Sequence, residues 1–232
     1  MALDHPGPSQ AVEEVGGPDG YYGLARTEML ELLPAGIKSL LDVGCGEGAF
    51  LDACRQRLPN LRLSGIEPTE EPASRARARG LDVTTGSFPD DLPPSERFDC
   101  IVFNDVLEHL VDPWAALQTA GERLSDEGWV VASIPNIRNL ETMLALVRHG
   151  AWDYVDAGVL DRTHLRFFTR STILALFEGA GYDVVTIRGG WPLEARKFRA
   201  LRFLSIAAGR TLYRDGSFRQ FHLVARRVAV PT

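Results

Sequence analysis

Two carboxylates and a glycine-rich run lie at a spacing that suits a nucleotide-like ligand. Asp42 precedes the run Gly44-Cys45-Gly46-Glu47-Gly48, and Glu67 follows 19 positions after Gly48. Because glycine lacks a Cβ atom, a ligand can lie directly against the backbone of such a turn. An acid about 20 residues beyond the turn suits a carboxylate that accepts hydrogen bonds from both ribose hydroxyls. We therefore expect a site for a ribose-containing ligand.

The turn alone fits two kinds of cofactor. Gly44-x-Gly46-x-x-Ala49 also satisfies the relaxed fingerprint of dinucleotide-binding proteins, so a nicotinamide oxidoreductase remains an alternative. Asp42 favours a different cofactor, because a carboxylate beside the turn repels a pyrophosphate and attracts an ammonium group. S-adenosyl-L-methionine carries an ammonium group and a ribose but no phosphate. The sequence thus predicts S-adenosylmethionine as the cofactor.

Two histidines can supply acid–base chemistry. His109 follows the run Asn104-Asp105-Val106, and His164 lies in a stretch rich in aromatic and charged residues. Histidine has an unperturbed pKa of about 6.5, so it can accept a proton near neutral pH. We expect one of the two to act as a base toward an acceptor hydroxyl and the other to act as an orienting group. The sequence contains no His-x-x-x-His motif and no metal-type cysteine pair, so we expect no metal.

Strands that end at a common edge must position these residues. Apolar runs predict buried strands that alternate with helices, which is typical of a doubly wound α/β fold. In a parallel sheet, ligands bind at the carboxyl ends of the strands, where Asp42, Glu67 and Asn104 are expected. The predicted strands cover residues 37–43, 61–67, 81–85, 98–103, 128–134, 182–187 and 218–226.

Three segments resemble one family. Leu41 to Gly48 resembles the first motif of class I S-adenosylmethionine-dependent methyltransferases, and Asn104 to Pro113 is similar to the segment after strand four in their small-molecule subgroup. Leu160 to Thr169 resembles members from bacterial natural-product and polysaccharide pathways. The resemblance implies a Rossmann-like seven-stranded sheet whose last strand is antiparallel, with a helical cap insert.

The resemblance also implies roles for individual residues. Arg26 would grip the cofactor carboxylate, Ser87 or Phe88 would flank the adenine, and Asn104 would contact the methionine moiety. With the motif residues and their neighbours, the predicted cofactor-binding set is Tyr22, Arg26, Asp42, Gly44, Cys45, Gly46, Glu67, Pro68, Ser87, Phe88, Asn104, Asp105 and Val106.

Length and composition bound the domain organisation. We expect a mobile N-terminus at 1–20 and one methyltransferase domain at 21–232, with inserts at 136–170 and 189–216. The second insert carries a basic amphipathic segment near 193–210, for which membrane binding is the less favoured interpretation. No run reaches the ~20 apolar residues of a membrane helix and no signal peptide is evident, so the expected location is the cytoplasm.

The acceptor follows from the resemblance and the charge. The net charge of −6 argues against a nucleic-acid partner, which needs a basic face. We expect O-methylation of a small-molecule or sugar-like acceptor. N-methylation and a non-catalytic cofactor-binding partner protein remain alternative functions. Assembly into a homodimer also remains open.

Overall fold

The structure is a computed structural model that describes residues 26–193 and 214–228. The predicted N-terminus at 1–20, Tyr22 and most of the basic segment near 193–210 lie outside the described residues. Among the described residues, no helix has both the length and the hydropathy that crossing a bilayer requires.

The described strands form one seven-stranded sheet in the order β3-β2-β1-β4-β5-β7-β6. They are β1 Ser39–Val43, β2 Arg62–Glu67, β3 Val83–Thr85, β4 Phe98–Asn104, β5 Leu124–Pro135, β6 Tyr182–Pro192 and β7 Phe218–Arg227. β1 pairs in parallel with both β2 and β4, whereas β7 is antiparallel to both β5 and β6. The predicted doubly wound fold with an antiparallel last strand is therefore confirmed. The strand order reverses at β1, the point where ligands bind in such sheets.

Both faces of the sheet are buried at the central strand β1. All five residues of β1 are buried, and successive side chains of a strand point to opposite faces. Leu41 and Val43 pack into one hydrophobic core, whereas Leu40 packs into the other. This double burial explains why the strands appear in the sequence as continuous apolar runs. It also fixes the strand ends that carry the polar residues.

Helices cover the sheet between the strands. The helices are α1 Thr27–Leu30, α2 Ala49–Arg57, α3 Glu70–Ala78, α4 Pro113–Arg123, α5 Leu140–His149 and α6 Arg170–Gly179, with a 3₁₀ helix at Leu107–His109. The Asp112 side chain accepts a hydrogen bond from the Ala115 amide at 2.9 Å, and Thr169 forms a capping box with Thr172. These caps set where α4 and α6 begin.

Three boundaries differ from the sequence predictions. The sequence from Tyr21 to Leu33, which Pro34 follows, predicts a helix that continues to Leu33. In the structure the helix ends at Leu30, because the amides of Leu32 and Leu33 bond to carbonyls three residues back. β5 starts before residue 128, since Leu124 already pairs with Phe98 of β4. β6 continues through Pro192, beyond its predicted end at residue 187, because it stays paired with β7 as far as Phe218.

The first insert is fastened to the segment that follows β4. Its helix α5 ends at His149, with Gly150 as its C-cap, and the residues that follow contain only isolated bridges, Val155 with Asp161 and Asn136 with Phe168. The amides of Leu165 and Arg166 both donate to the carbonyl of Glu108, at 2.8 and 2.9 Å. The cap therefore lies against the edge of the sheet where the polar residues were predicted.

Candidate active site

A cavity of about 710 Å³ opens at the carboxyl ends of β1, β2 and β4. Every predicted cofactor-binding residue that the structure describes lines it. They are Arg26, Asp42, Gly44, Cys45, Gly46, Glu67, Pro68, Ser87, Phe88, Asn104, Asp105 and Val106. The structure therefore brings the described part of the predicted set together around one space.

The glycines between β1 and α2 hold a backbone that other residues rarely adopt. Gly44, Gly46 and Gly48 have φ angles of +67°, +54° and +76°. A Cβ atom on Gly44 would lie 2.8 Å from Cγ2 of Val106, whose side chain lines the cavity. The turn is thus both left-handed and tightly packed, which explains why glycine occupies it.

Glu67 ends β2 with its carboxylate tied to the glycine turn. The side chain is buried, and Oε2 accepts a hydrogen bond from the Gly46 amide at 2.9 Å. Oε1 accepts a second one from the Thr69 amide at 3.1 Å. Each carboxylate oxygen keeps a further lone pair, so this fixed group can still accept hydrogen bonds from hydroxyls in the cavity.

Asp42 and Asn104 present buried polar atoms that lack partners among the described residues. These atoms are Oδ1 of Asp42 and both side-chain polar atoms of Asn104. Burial, and next the charge of Glu67, raise the pKa of Asp42 to about 8. Orphaned polar groups are costly in a protein interior, and here they line a cavity that a ligand can fill. They fit the ammonium and carboxylate groups of a methionine moiety.

The charges around the cavity support the same ligand. Carboxylates outnumber guanidinium groups in its lining, which suits a positively charged sulfonium or ammonium better than a pyrophosphate. The acids are Asp42, Glu67, Asp105, Asp156 and Asp161, and the arginines are Arg26 and Arg162.

Arg26 lies in the cavity wall but is held by protein groups. Its guanidinium pairs with Asp105, donates to Oε1 of Gln220 at 3.1 Å and stacks over Trp191 at 4.7 Å. Gln220 also donates to Asp105. Asp105 has a left-handed φ of +54°, which directs it into this cluster. The family resemblance implies that Arg26 binds the cofactor carboxylate. In the structure its guanidinium pairs with Asp105.

The predicted adenine region is more open. Ser87 is exposed, and its amide donates to Asp91 at 2.8 Å. Phe88 meets Phe103 edge to face with centroids 5.8 Å apart, so part of the ring packs against the core. Cys45 is buried, and burial raises the pKa of its thiol, which keeps it protonated. Cys45 lines the cavity wall.

The two predicted catalytic histidines meet although they are far apart in the sequence. Their rings lie edge to face with centroids 4.7 Å apart. Nδ1 of His109 lies 3.2 Å from the carbonyl oxygen of Thr163, and Nδ1 of His164 lies 3.1 Å from that of Val159. Because carbonyls only accept, each Nδ1 carries the hydrogen and each neutral ring keeps a lone pair on Nε2. Burial lowers the pKa of both histidines, which favours these neutral rings.

Of the pair, His109 lines the cavity, whereas His164 is buried behind it. Nε2 of His164 lies 4.0 Å from Oε1 of Glu108. Burial raises the pKa of Glu108 to about 8. Sequence reasoning missed Glu108, because it adjoins His109 on a short helix and gave no sign of being buried.

Four cap residues that line the cavity were also missed, namely Asp156, Asp161, Arg162 and Thr163. Asp161 accepts hydrogen bonds from the amide and the hydroxyl of Thr163, at 2.8 and 2.6 Å. Arg162 pairs with Asp156 at 2.6 Å. The sequence predicts a cap in this region. Because the stretch has neither helical nor strand periodicity, the sequence does not indicate which of its side chains face the cavity.

A family profile described as "Methyltransferase domain" matches residues 20–187. The chain belongs to this methyltransferase family. The predicted class I S-adenosylmethionine-dependent methyltransferase is thereby confirmed. S-adenosylmethionine is the cofactor, and the nicotinamide alternative is set aside.

Curated relatives of this methyltransferase are similar at moderate identity. A "Ubiquinone biosynthesis O-methyltransferase" of Idiomarina loihiensis is 26% identical over 163 residues, covering 66% of this chain and 64% of the relative. A relative of that description from Hydrogenovibrio crunogenus is 29% identical over 163 residues, covering 63% of this chain and 66% of the relative. The chain thus spans just under two thirds of the length of these relatives.

Solved structures share the fold. A methyltransferase described as "SAM dependent" from Archaeoglobus fulgidus superposes with a TM-score of 0.67 at 17% identity, covering 91% of this chain and 95% of that one. The plantazolicin methyltransferase BpumL, solved with a desmethylPZN analog and SAH, gives a TM-score of 0.59 at 17% identity, covering 87% and 80%. At this identity, the likeness concerns the fold.

Proposed function

We propose that this methyltransferase transfers the methyl group of S-adenosylmethionine to a hydroxyl oxygen of a small molecule. The observation that carries the proposal is the His109–His164 pair, of which His109 lines the cofactor cavity and His164 packs against it from behind. The O-methyltransferase descriptions of two relatives support the choice of oxygen.

Different residues of the chain are assigned to different parts of the cofactor. Glu67, fixed by the amides of Gly46 and Thr69, is assigned to the ribose hydroxyls. Asp42 and Asn104 are assigned to the methionine moiety, because their unpartnered atoms need hydrogen bonds. Arg26 is assigned to the methionine carboxylate, because it lines the cavity and its guanidinium carries a positive charge.

The remaining predicted residues shape the walls. Ser87 and Phe88 are assigned to the adenine. The glycine turn lets the ligand approach the backbone closely. The other residues assigned to contact the cofactor are Gly44, Cys45, Gly46, Pro68, Asp105 and Val106.

Two effects would speed the transfer. When bound, S-adenosylmethionine supplies an electrophilic methyl group on a sulfonium. Holding the acceptor oxygen in line with that methyl group can lower the barrier by ~7–11 kcal/mol. The acceptor hydroxyl must also lose its proton as the carbon–oxygen bond forms and the carbon–sulfur bond breaks. We assign this activation to His109 at the cavity wall, with His164 behind it.

The cap residues favour a small polar acceptor. Asp156, Asp161, Arg162 and Thr163 offer hydrogen-bond donors and acceptors on the cavity wall. The two carboxylates among them favour N-methylation of an amine as the second candidate. The acidic lining also opposes a nucleic-acid acceptor. A non-catalytic partner protein would be favoured by a cap that fills the site, whereas about 710 Å³ stays open here.

The test is an acceptor screen with methyl-labelled S-adenosylmethionine. Phenols, catechols, sugars and aliphatic alcohols form one panel, matched amines form a second, and DNA, RNA and protein form a third. The proposal predicts label in the hydroxyl panel. Label confined to amines would establish the second candidate, and label in nucleic acid or protein alone would refute both.

A further inference from the structure

Three side chains from two distant parts of the chain converge beside the cavity. Glu108 and His109 follow β4, and His164 comes from the cap. One oxygen or nitrogen of each lies within 4.8 Å of the corresponding atoms of the other two. Backbone hydrogen bonds from Leu165 and Arg166 to the Glu108 carbonyl hold the two segments together. The cluster is therefore built into the fold.

Both histidines are oriented as ligands usually are. Each Nδ1–H is fixed on a backbone carbonyl, of Thr163 for His109 and of Val159 for His164. Metal-binding histidines commonly donate the second ring N–H to a carbonyl in this way, which fixes the ring and leaves Nε2 as donor to the metal. Within the described residues, neither Nε2 atom has a hydrogen-bond partner.

Glu108 supplies an independent observation. Its side chain is 1% exposed, and neither carboxylate oxygen has a hydrogen-bond partner in the described part of the chain. Buried carboxylates are normally paired or coordinate a metal, because leaving one unpartnered is costly. A cation between Glu108 and the two Nε2 atoms would remove that cost.

We propose that Glu108, His109 and His164 bind one divalent transition-metal ion, through a carboxylate oxygen and two Nε2 atoms. Two imidazoles and one carboxylate favour ions such as Zn²⁺ or Mn²⁺ over the hard ions that prefer oxygen ligands alone. Ligands about 2.1 Å from such an ion lie roughly 3.4 Å from one another. The cluster therefore closes by about an ångström on binding, a movement that the unbonded carboxylate of Glu108 can supply.

Short-range sequence patterns do not predict this site. The metal-free expectation rested on the absence of a short-range motif, whereas His164 lies 55 positions after His109. Only the docking of the cap on the segment after β4 brings the ligands together.

The position of the ion suggests what it does, and this role rests on the proposed O-methylation. With the ion bound, Nε2 of His109 is a ligand rather than a free base, so the ion replaces the ring as the group that activates the acceptor hydroxyl. Three protein ligands leave a coordination position open, and His109 places the ion at the cavity wall. A hydroxyl oxygen bound there would have a lowered pKa and release its proton to water. The oxygen then forms its bond to the methyl carbon, and the departing sulfur keeps the electrons of the broken carbon–sulfur bond.

Calorimetric titration of chelator-treated full-length protein with Zn²⁺, and the electron paramagnetic resonance signal of added Mn²⁺, test the binding. The expected result is one site per chain. Glu108→Gln and His164→Ala should each weaken it at least ~10–100-fold, the loss that follows even from removing an outer-shell partner. His149→Ala, at the exposed end of α5, serves as the matched histidine control and should bind as the wild type does.

Binding of S-adenosylhomocysteine to each variant checks that it folds. Absence of a wild-type site, or a site that survives both Glu108→Gln and His164→Ala, would overturn the proposal. Cation binding without methyl transfer to any hydroxyl would instead mean that the proposed function fails while the metal site stands. Full turnover by chelator-treated protein would refute the role in activating the acceptor.

Discussion

The imidazole ring of His109 meets that of His164 edge to face, with their centroids 4.7 Å apart. His109 follows β4 and lines the cofactor cavity, whereas His164 arrives from the cap and is buried. Each ring is fixed through Nδ1 on a carbonyl of the cap. The pair therefore connects the cap to the histidine that lines the cavity.

Removing either histidine should slow methyl transfer without loosening the cofactor. His109→Ala and His164→Ala are expected to lower turnover by ~10²–10⁴-fold, the usual contribution of a positioned acid–base group. S-adenosylhomocysteine affinity by calorimetry should stay near the wild-type value, because neither ring belongs to the assigned cofactor contacts. If both variants turn over at close to the wild-type rate, the pair has no part in activating the acceptor.

The roles assigned to Glu67 and Arg26 can be distinguished by measuring the binding of two different ligands. Glu67→Ala should weaken both S-adenosylhomocysteine and methylthioadenosine, since both contain the ribose. Arg26→Ala should weaken only S-adenosylhomocysteine, because methylthioadenosine lacks the carboxylate. A lost charge-assisted hydrogen bond of ~1.5–3 kcal/mol corresponds to a roughly 10–100-fold change in dissociation constant. Equal losses for both ligands in Arg26→Ala would mean that this arginine acts by holding Asp105.

Gly48 and Gly150 form a matched pair for the packing of the turn. Both have left-handed φ angles, +76° and +62°, but a Cβ atom would lie 2.3 Å from Leu81 Cδ1 at Gly48 and more than 4 Å from its surroundings at Gly150. Gly150→Ala should cost ~1–2 kcal/mol of unfolding free energy from backbone strain. Gly48→Ala should cost a further ~1–3 kcal/mol from overpacking. Urea denaturation measures the difference, and equal costs would contradict the tight packing.

Asp42 should make the stability of the ligand-free protein fall as pH rises. Its pKa is raised from 3.8 to about 8 by burial and then by Glu67. Between about pH 4 and pH 8 the folded protein holds a proton that the unfolded chain releases, so folding loses stability as pH increases through this window. Asp42→Asn removes this contribution and should flatten the profile of unfolding free energy against pH. Asp183→Asn, at an exposed site, is the control.

Features of the fold and of the site that depend on a short stretch of sequence were predictable, whereas contacts between distant residues were not. Asp42 and Glu67 end strands, and a strand followed by glycines or by an acid is visible within a dozen residues. The contacts of Arg26 were not visible, because its partner Gln220 lies 194 positions away. Glu108 was missed for the same reason, since it lies beside cap residues more than 50 positions away, such as Leu165 and Arg166, whose amides donate to its carbonyl. The sheet and the cofactor half were thus accessible from periodicity and motif, whereas contacts that depend on tertiary packing were not.

The most direct test of the account is methyl transfer itself, followed to the atom that receives the label. Wild-type protein, ¹³C-methyl S-adenosylmethionine and the hydroxyl panel should give a product whose labelled carbon is bonded to oxygen by nuclear magnetic resonance. His109→Ala should give far less of that product at equal cofactor occupancy. Label on nitrogen, or an unchanged rate of O-methylation in His109→Ala, would contradict the account.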